Sequence, residues 1–380
     1  MKKTIAVLGA TGSVGTQALD VAEKRGFKVD FISANQSVGE AETIARKFSP
    51  RFVAMKDERA ARDLKTRLAD TDIKVLSGDD GILSCISETR ADVVVNSIIG
   101  EAGLLPTLAV IDSGKRLALA NKESLVIAGD IVMTRAKERG VEIIPVDSEH
   151  SAIFQSLKSG KNSEIKKIIL TASGGPFFGK SREELRSVTL ADTLAHPTWK
   201  MGKKITVDSA TLMNKGFEVI EACHLFGVAP EKIEVVVHRE SILHSAVEYI
   251  DNTVIGEFSV PDMRMCVQYA VDYPERCEAV ADELDLFKVG HISFAKPDTE
   301  AFPLLALAFK AMKLGGAMPA ILNAADEVAV ASFLSGEISF SRIPEKVINT
   351  FEKMSERRAD YSVDELIAID REARKICKEI

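Results

Sequence analysis

The sequence of 380 residues predicts an α/β protein built, in chain order, from a doubly wound parallel sheet, an α+β region with a second, mixed sheet, and a C-terminal helical bundle. Short apolar runs alternate with helical patterns over the first 150 residues. Consecutive strand patterns follow, including "IEVVVHRESILHSAVEYIDNTVIGEFSV", and helical patterns continue from about residue 300 to the end. The chain is too long for one hydrophobic core, so several domains are expected.

The first region contains seven strand candidates separated by helical stretches such as "VGTQALDVAEKRG". Several of these stretches end in basic residues followed by glycine, as helix C-termini do. The alternation of strand and helix indicates a parallel sheet with helices on its faces. The strand candidates are residues 4–9, 28–34, 51–55, 73–78, 92–98, 116–121 and 141–147.

Changes of pattern set the expected domain boundaries. We expect a first domain over residues 1–150, a central domain over 151–285, a linker over 286–310 and a helical bundle over 311–380. The C-terminal helical patterns cover about 301–314, 317–335, 342–355 and 363–379, and they suit a small bundle.

Charge and cysteine content exclude several classes of protein. The net charge of −7 argues against a nucleic-acid groove. The five cysteines include no C-x-x-C pair, which disfavours a disulfide framework or a zinc knuckle and suits a reducing compartment. The sequence shows neither a secretory signal pattern nor an apolar run of membrane-spanning length. We therefore expect a cytoplasmic protein without nucleic-acid or membrane partners.

A glycine-rich turn, "GATGSVG", stands between the first strand candidate and the first helix. Gly9 permits a tight turn, Gly12 lets a pyrophosphate approach backbone amides, and Gly15 allows close packing of helix and sheet. This position predicts a Rossmann-type dinucleotide-binding domain. The second strand ends in "SANQS" without the carboxylate that NAD sites use for the ribose, so NADP is favoured, although no Lys or Arg stands there either.

Two carboxylates follow the last strand candidate in "PVDSEHSAIFQ". Asp147 and Glu149 point the same way in an extended chain, about 6.6 Å apart, at the sheet edge where open α/β sheets bind ligands. In the simpler interpretation, Asp147 or Ser148 only caps the next helix. A cap accounts for one residue and not for a second carboxylate, so we favour a divalent-metal site.

The segment "VDSATLMNKGFEVIEACHLFG" is predicted to be helical from about residue 210. Asn214, Lys215 and Glu218 share one arc of this helix, either as a site or as a solvated face with a Lys–Glu pair. Gly216 costs about 1 kcal/mol relative to alanine in a helix, and we interpret it as allowing a ligand to approach. With Glu218, three carboxylates suit Mg²⁺ or Mn²⁺, and Asn214, Lys215 and Ser209 are candidate donors to a phosphate.

Two further segments belong to this candidate site. "TASGGP" supplies a hydroxyl and a glycine turn whose amides suit an anion. The polar segment at about 179–204 ends in "HPTWKMGKK", with the only tryptophan of the chain. It is either a lid or an ordinary loop around a packed Trp199, and we favour a lid because aromatic loops beside anion sites exclude water.

Together these motifs resemble those of the 1-deoxy-D-xylulose 5-phosphate reductoisomerases, and the resemblance runs essentially from end to end. It is carried by "GATGSVG", "ALANKESLV", "PVDSEHSAIFQ", "LTASGGPF", "HPTWKMGKKITVDSATLMNKGFEVIEA" and "GGAMPAILNAADEVAV". The block at 196–222 is highly specific, whereas the glycine turn alone is not.

The resemblance implies an NADPH domain, a catalytic domain with a mobile lid and a helical bundle, assembled as a homodimer. It implies that a metal-assisted carbon–carbon rearrangement precedes reduction by NADPH. The implied metal ligands are Asp147, Glu149 and Glu218. The implied substrate residues are Lys122, Ser148, Glu149, Ser173, His196, Ser209, Asn214, Lys215 and Glu218, with Lys122 and Glu149 as candidates for proton transfer. The implied nucleotide residues are Thr11, Gly12, Ser13, Val14, Asn121, Glu123 and Gly202.

One departure concerns the nucleotide. The family commonly has glycine, a basic residue and asparagine after the second strand, where this chain has Asn35, Gln36 and Ser37. The usual cationic contact to the 2′-phosphate is therefore missing, and the strictness of the NADP preference is left open.

Two alternatives from other classes of protein are considered. An aspartate-semialdehyde-type dehydrogenase would need a nucleophilic cysteine and no metal, and Cys223 is its best candidate. A non-catalytic NADP-binding regulator would bind nucleotide without turnover, but it would leave the carboxylates without a role.

Overall fold

The computed structural model describes residues 3–199, 201–354, 358 and 360–380. Lys200, in the predicted lid, and residues 355–357, at and beyond the end of a predicted helix, lie outside the described residues. The chain forms two compact units, both discontinuous in sequence. The first contains Met1–Ser124, Ile131–Ser151 and Asp262–Asp282, and the second contains Leu125–Asp130, Ala152–Pro261 and Glu283–Ile380. The functional boundaries expected at residues 150, 285 and 310 remain a prediction.

The first unit is built on a parallel sheet of seven strands, and each predicted strand is confirmed. The strands are β1 Thr4–Leu8, β2 Lys28–Ala34, β3 Phe52–Met55, β4 Lys74–Ser77, β5 Val93–Asn96, β6 Arg116–Leu119 and β7 Ile143–Pro145. Their order is β4-β3-β2-β1-β5-β6-β7. The order reverses direction between β1 and β5, and such a point is where open α/β sheets bind ligands.

Helices occur in both units. From the N-terminus the first helices are α1 Ser13–Arg25, α2 Val38–Phe48, α3 Glu58–Arg67, α4 Gly78–Glu88, α5 Leu104–Asp112, α6 Glu123–Arg139, α7 Ser148–Ser156 and α8 Leu190–Leu194. They are followed by α9 Lys203–Ala210, α10 Met213–Phe226, α11 Met263–Asp272, α12 Leu286–Val289, α13 Pro303–Leu314, α14 Met318–Leu334, α15 Arg342–Lys353 and α16 Val363–Glu379. Within the described residues, no helix combines the length and the apolar character needed to cross a bilayer.

The second unit contains the predicted mixed sheet. Its strands are β8 Ile165–Ala172, β9 Ile233–Val237, β10 Leu243–Tyr249 and β11 Val254–Phe258. Their order is β11-β10-β8-β9, in which β8 and β9 are parallel and β10 is antiparallel to both β8 and β11. The helical C-terminal region is also confirmed, because α13, α14, α15 and α16 lie where the sequence places helices.

The helix predicted from about residue 210 is confirmed as α10, which begins at Met213, but the sequence did not predict α9. Two helices, α9 and α10, are separated by Leu212, which has a left-handed φ of 60° that few non-glycine residues adopt. The interpretation of Gly216 is wrong. A Cβ at Gly216 would lie 2.7 Å from the Cβ of Ala308 on α13. Gly216 therefore permits close packing of two helices rather than the approach of a ligand.

We predict that Gly216→Ala lowers the midpoint of thermal unfolding, because overpacking a core costs about 1–3 kcal/mol, against about 1 kcal/mol gained in helix propensity. The matched control is Gly39→Ala on α2, where an added Cβ meets nothing within 4 Å. The control should be as stable as the parent or more stable. Equal midpoints for the two variants would contradict the packing role of Gly216.

Candidate functional site

The glycine turn of the first unit follows β1 beside the reversal of strand order. Gly9 has a φ of +77°, and a Cβ there would lie 2.7 Å from the carbonyl oxygen of Ser97. A Cβ at Gly15 would lie 2.2 Å from the carbonyl oxygen of Gly9. Gly12 is the N-terminal cap of α1. Thr11 lies in the same turn, and Ser13 and Val14 are the first residues of α1. The backbone amides of a helix N-terminus suit an anion.

Asn121 and Glu123 lie just beyond β6, in the first unit. The Asn121 amide donates to the carbonyl oxygens of Ile98 and Gly100 at 2.9 and 3.0 Å, and to a carboxylate oxygen of Glu123 at 2.8 Å. Both side chains are buried. They therefore connect the segments that follow β5 and β6, at the sheet edge that carries the glycine turn.

The turn after β2 has a basic neighbour that sequence reasoning missed. The amide of Lys56, one residue beyond β3, donates to the carbonyl oxygen of Ala34 at 2.9 Å. Lys56 forms an exposed ion pair with Asp79. The nearby Gln36 amide donates to Asp57 at 3.4 Å. The sequence contained a signal for Lys56, because this residue directly follows a strand candidate. Local sequence does not show, however, that this strand lies beside β2.

An ion pair forms at the carboxyl end of β7, also in the first unit. Lys122, just before α6, donates to one carboxylate oxygen of Asp147. The other oxygen of Asp147 accepts from the backbone N–H groups of Glu149 at 3.2 Å and His150 at 3.4 Å. Asp147 thus caps α7, as the simpler interpretation held, and binds a lysine as well. Ser148, which is buried, donates to Glu149.

The charge of Asp147 is set by its neighbours. Burial alone would raise its pKa, but the Lys122 ammonium and the His150 ring outweigh burial and hold the pKa of Asp147 well below its usual value. Nδ1 of His150 lies 3.3 Å from Asp147. The carboxylate is therefore ionised at neutral pH, as a metal ligand must be.

The arc predicted on α10 lies in the second unit and is a buried cluster. Asn214 donates to one carboxylate oxygen of Glu218 at 2.5 Å, and Lys215 donates to the other. Lys215 is 4% exposed and Glu218 is 1% exposed. The solvated-face interpretation is therefore wrong. Because an isolated charge in the interior costs several kcal/mol, the lysine and the carboxylate depend on each other.

A second group in this unit surrounds the glycine turn after β8. The Ser173 hydroxyl lies 3.1 Å from Nε2 of His196. Nδ1 of His196 accepts from the backbone N–H groups of Thr198 at 3.2 Å and Trp199 at 3.0 Å. Nδ1 therefore carries no proton, and Nε2–H donates to Ser173. At Gly175 a Cβ would lie 2.5 Å from the Ser209 carbonyl oxygen, so only glycine lets the turn approach α9 so closely.

Arg239 is a further cation that sequence reasoning missed. Its guanidinium donates to the Gly175 carbonyl oxygen at 2.8 Å and lies 5.2 Å from the centre of the Phe178 ring. Burial lowers the pKa of His196, and the charge of Arg239 lowers it further. The neutral ring can then donate from Nε2 at pH 7. Arg239 stands in "HRES", directly after β9. No local pattern shows that this segment lies beside the glycine turn that follows β8.

The predicted lid contains a short helix, α8, whose cap Thr189 accepts from the Asp192 backbone at 3.2 Å. The Trp199 ring lies edge-on to His244, with 6.0 Å between the ring centres. Gly202 caps α9 at the far end of the segment. Closure over a substrate remains a prediction.

The nucleophilic cysteine required by the dehydrogenase alternative is not favoured. Cys223 is buried, and burial raises the pKa of its thiol to about 12. A thiol in that state contains almost no thiolate at neutral pH, and the thiolate is the nucleophile. Cys223 packs in the core, as its position near the apolar side of α10 suggests.

A parallel sheet with a glycine turn after its first strand and acidic side chains after its last defines a dinucleotide-dependent oxidoreductase. Three family models match the chain. The model for 1-deoxy-D-xylulose 5-phosphate reductoisomerase matches residues 5–129, and the model for the C-terminal domain of this enzyme matches residues 143–226. A third model, for a DXP reductoisomerase C-terminal domain, matches residues 258–376. The chain belongs to the 1-deoxy-D-xylulose 5-phosphate reductoisomerase family.

Individual relatives agree over the full length. The reductoisomerase of Acetivibrio thermocellus is 51% identical over 380 residues, covering 100% of both chains. That of Halothermothrix orenii is 48% identical over 385 residues, covering 100% of this chain and 99% of its own. The Zymomonas mobilis enzyme, solved with NADPH, has a TM-score of 0.93 at 40% identity, covering 100% of this chain and 99% of its own. A reductoisomerase solved with NADPH, fosmidomycin and magnesium has a TM-score of 0.93 at 36% identity, covering 99% and 98%.

We predict that His196→Gln reduces the dependence of stability on pH between about 5 and 7. Because the folded-state pKa of His196 lies below the usual value of 6.5, the unfolded chain binds the proton more readily. The parent should therefore lose stability as the pH falls below 6.5 through the lowered folded-state pKa. Thermal unfolding at several pH values measures this loss. His291→Gln, at an exposed histidine, is the control, and an unchanged slope in the His196 variant would contradict the prediction.

Proposed function

We propose that this chain rearranges and reduces 1-deoxy-D-xylulose 5-phosphate to 2-C-methyl-D-erythritol 4-phosphate in isoprenoid biosynthesis, with NADPH as reductant and Mg²⁺ or Mn²⁺ as the metal. The observation that carries the proposal is the ionised, lysine-paired Asp147 at the end of β7, in a chain that matches this family over its whole length. A relative solved with NADPH, fosmidomycin and magnesium supports the same ligand classes.

Asp147, Glu149 and Glu218 are the proposed metal ligands. They offer only carboxylate oxygens, which suit a hard divalent cation. The fit is supported by Asp147, whose pKa is held low, and by Glu218, whose buried carboxylate has Asn214 and Lys215 as donors. A divalent cation supplies Lewis acidity to a ketone and its neighbouring hydroxyl.

The residues near the ketose end are proposed to orient the substrate and move protons. Lys122 and Ser148 contact the substrate in this proposal, and Lys122 and Glu149 are the candidates for proton transfer. Support comes from Lys122, whose ammonium is held beside Asp147. Ser148 donates to Glu149, so the hydroxyl fixes the carboxylate at the start of α7.

The second unit is proposed to hold the substrate phosphate. Ser173, His196, Ser209, Asn214 and Lys215 supply hydroxyl, ring N–H, amide and ammonium donors, all suited to an anion. The neutral His196, donating from Nε2, and the glycine turn packed against Ser209 support this assignment. Anchoring the phosphate matters because the two fragments formed by carbon–carbon cleavage must stay in place until they rejoin.

Seven residues are proposed to contact NADPH. The candidates are Thr11, Gly12, Ser13, Val14, Asn121, Glu123 and Gly202. Lys56 is proposed as the cation for the 2′-phosphate, because it lies beside the turn after β2 that lacks one. The domain roles follow: nucleotide binding by residues 1–150, catalysis by 151–285 under a lid at 179–204, and a bundle over 311–380.

We also propose that the chain works as a homodimer in the cytoplasm. β11 is an edge strand of its sheet, and Val254, Phe258 and the nearby Ile250 are exposed apolar residues there. Edge strands with apolar side chains are prone to pair with another chain. All five cysteines are free thiols, which suits a reducing compartment. Light scattering after size-exclusion chromatography tests the dimer.

The activity is tested by mixing the protein with deoxyxylulose phosphate, Mn²⁺ and NADPH and following the loss of nicotinamide absorbance, with and without EDTA. We expect oxidation that needs both substrate and metal. Repeating the assay with NADH measures how strictly NADPH is preferred, and Lys56→Gln should reduce that preference. Folded protein that shows no oxidation with any divalent metal would overturn the proposal.

We predict that Glu218→Gln lowers activity on the order of 100-fold or more, because it removes a metal ligand, while the midpoint of thermal unfolding changes much less. Glutamine keeps one oxygen to accept from Lys215, and the Asn214 side chain can turn so that its own amide oxygen accepts from the glutamine NH₂ group. The rise in midpoint on adding Mn²⁺ should disappear in the variant. Glu231→Gln, at an exposed ion pair with Lys313, is the control. A much lower unfolding midpoint in the variant, with the rise on adding Mn²⁺ retained, would show a purely structural role for Glu218.

A further inference from the structure

Two turns of the second unit leave the same edge of the mixed sheet. β8 and β9 are parallel, with Ala172 opposite Val237, so the glycine turn after β8 and the turn after β9 begin side by side. The backbone N–H of His238 donates to the carbonyl oxygen of Ala172 at 2.7 Å, which joins the two turns where they start. Arg239 is the next residue of the second turn, and its side chain contacts the glycine turn.

Hydrogen bonds on both sides hold the backbone that carries Arg239. Ser241 closes the turn by donating its N–H to the carbonyl oxygen of His238 at 3.3 Å, and it has a left-handed φ of 52° that few non-glycine residues adopt. Nε2 of the buried His238 ring accepts from the backbone N–H groups of Ile242 at 3.3 Å and Leu243 at 3.2 Å. The position of Arg239 is therefore set by the protein itself, before any ligand binds.

The guanidinium of Arg239 holds the glycine turn with one of its nitrogens. Nη1 donates to the carbonyl oxygen of Gly175 at 2.8 Å and lies 3.4 Å from that of Ser173. Gly174 and Gly175 have left-handed φ values of 78° and 65°, so the bonded carbonyl belongs to a turn that glycine forms most readily. Within the described part of the chain, Nε and Nη2 of Arg239 make no hydrogen bond. Their N–H groups can therefore donate to a ligand.

The charge of Arg239 is not neutralised by a carboxylate of the described residues. The adjacent Glu240 accepts instead from Ser293, from its hydroxyl at 2.7 Å and from its backbone N–H at 3.2 Å. Arg239 is half-buried, and its guanidinium lies 5.2 Å from the centre of the Phe178 ring. Because arginine cannot lose its proton to relieve this charge, an anion from solution is the partner that it suits.

The phosphate donors proposed for this unit supply little positive charge of their own. The hydroxyl and amide donors are neutral, and His196 is neutral at pH 7 because burial, and then the charge of Arg239, lowers its pKa. Lys215 is the charged donor of the set, and it donates to Glu218. A phosphate monoester carries a charge of about −1.5 to −2 at pH 7. A further cation beside Ser173 would therefore complement it.

We propose that Arg239 is a further phosphate-binding residue, in which Nη1 holds the glycine turn and the remaining N–H groups donate to the phosphate of the substrate. That this phosphate belongs to deoxyxylulose phosphate rests on the proposed function. The anion site itself does not, because inorganic phosphate probes it without turnover.

Two variants separate the charge of Arg239 from its hydrogen bond to the turn. Arg239→Gln keeps an N–H donor and loses the charge, whereas Arg239→Lys keeps the charge without the planar guanidinium. KM for deoxyxylulose phosphate should rise about tenfold in Arg239→Gln, which corresponds to about 1.4 kcal/mol, with a smaller change in kcat. The rise should be smaller in Arg239→Lys. Arg342→Gln, at an exposed ion pair with Glu345 on α15, is the control and should leave KM unchanged.

Binding of inorganic phosphate is the readout that needs no turnover. Its dissociation constant, measured by titration calorimetry, should rise about tenfold in Arg239→Gln and less in Arg239→Lys. If the parent shows no activity but phosphate binding follows this order, the proposed function fails and the role of Arg239 stands. If Arg239→Gln matches the parent in KM and in phosphate affinity, or is impaired no more than Arg239→Lys, the role of Arg239 is overturned. A parent that neither binds phosphate nor turns over substrate would overturn both.

Chemical modification of the parent covers the case in which Arg239→Gln does not fold. Phenylglyoxal reacts with accessible guanidinium groups, and mass spectrometry of the peptides identifies the modified arginines. Inorganic phosphate should slow the modification of Arg239 and leave that of Arg342 unchanged. Equal rates at Arg239 with and without phosphate would overturn the proposed contact.

Discussion

Several carboxyl groups inside this protein are paired with a lysine, and much of the candidate active site depends on that pairing. Lys122 serves Asp147, Lys215 serves Glu218, and Lys204 serves two aspartates. Burying a charge without a partner costs several kcal/mol, so each acidic group is held in place by its cation before any ligand arrives. A metal or a phosphate would then meet preformed groups.

Local patterns were sufficient for the fold of the first unit. Alternating apolar runs and helix end signals located all seven strands, because buried parallel strands are short and apolar. The same patterns did not predict α9, which the left-handed residue Leu212 separates from α10. They also failed at Gly216. Glycine is needed there because a Cβ would come too close to Ala308, nearly a hundred residues away in sequence. The packing of Asp262–Asp282 into the first unit has no local signature either.

The candidate site was predictable where its residues are close in sequence. Asp147 with Glu149, and Asn214 with Glu218, were recognised from spacing and from the resemblance to one family. Lys56 and Arg239 were not, because their partners come from other segments of the chain. The proton on Nε2 of His196 depends on two backbone N–H groups that hold Nδ1, which no residue pattern reports.

The interleaving of the two units bears on how the chain is made. The polypeptide passes between the units five times, and the last segment of the first unit ends at Asp282. A ribosome must therefore synthesise almost three quarters of the chain before the seven-stranded sheet of the first unit has all of its packing partners. The usual N-terminal-first order of domain folding is unavailable here. Neither unit corresponds to a contiguous gene fragment, so dissection by truncation would leave each one missing a piece of its core.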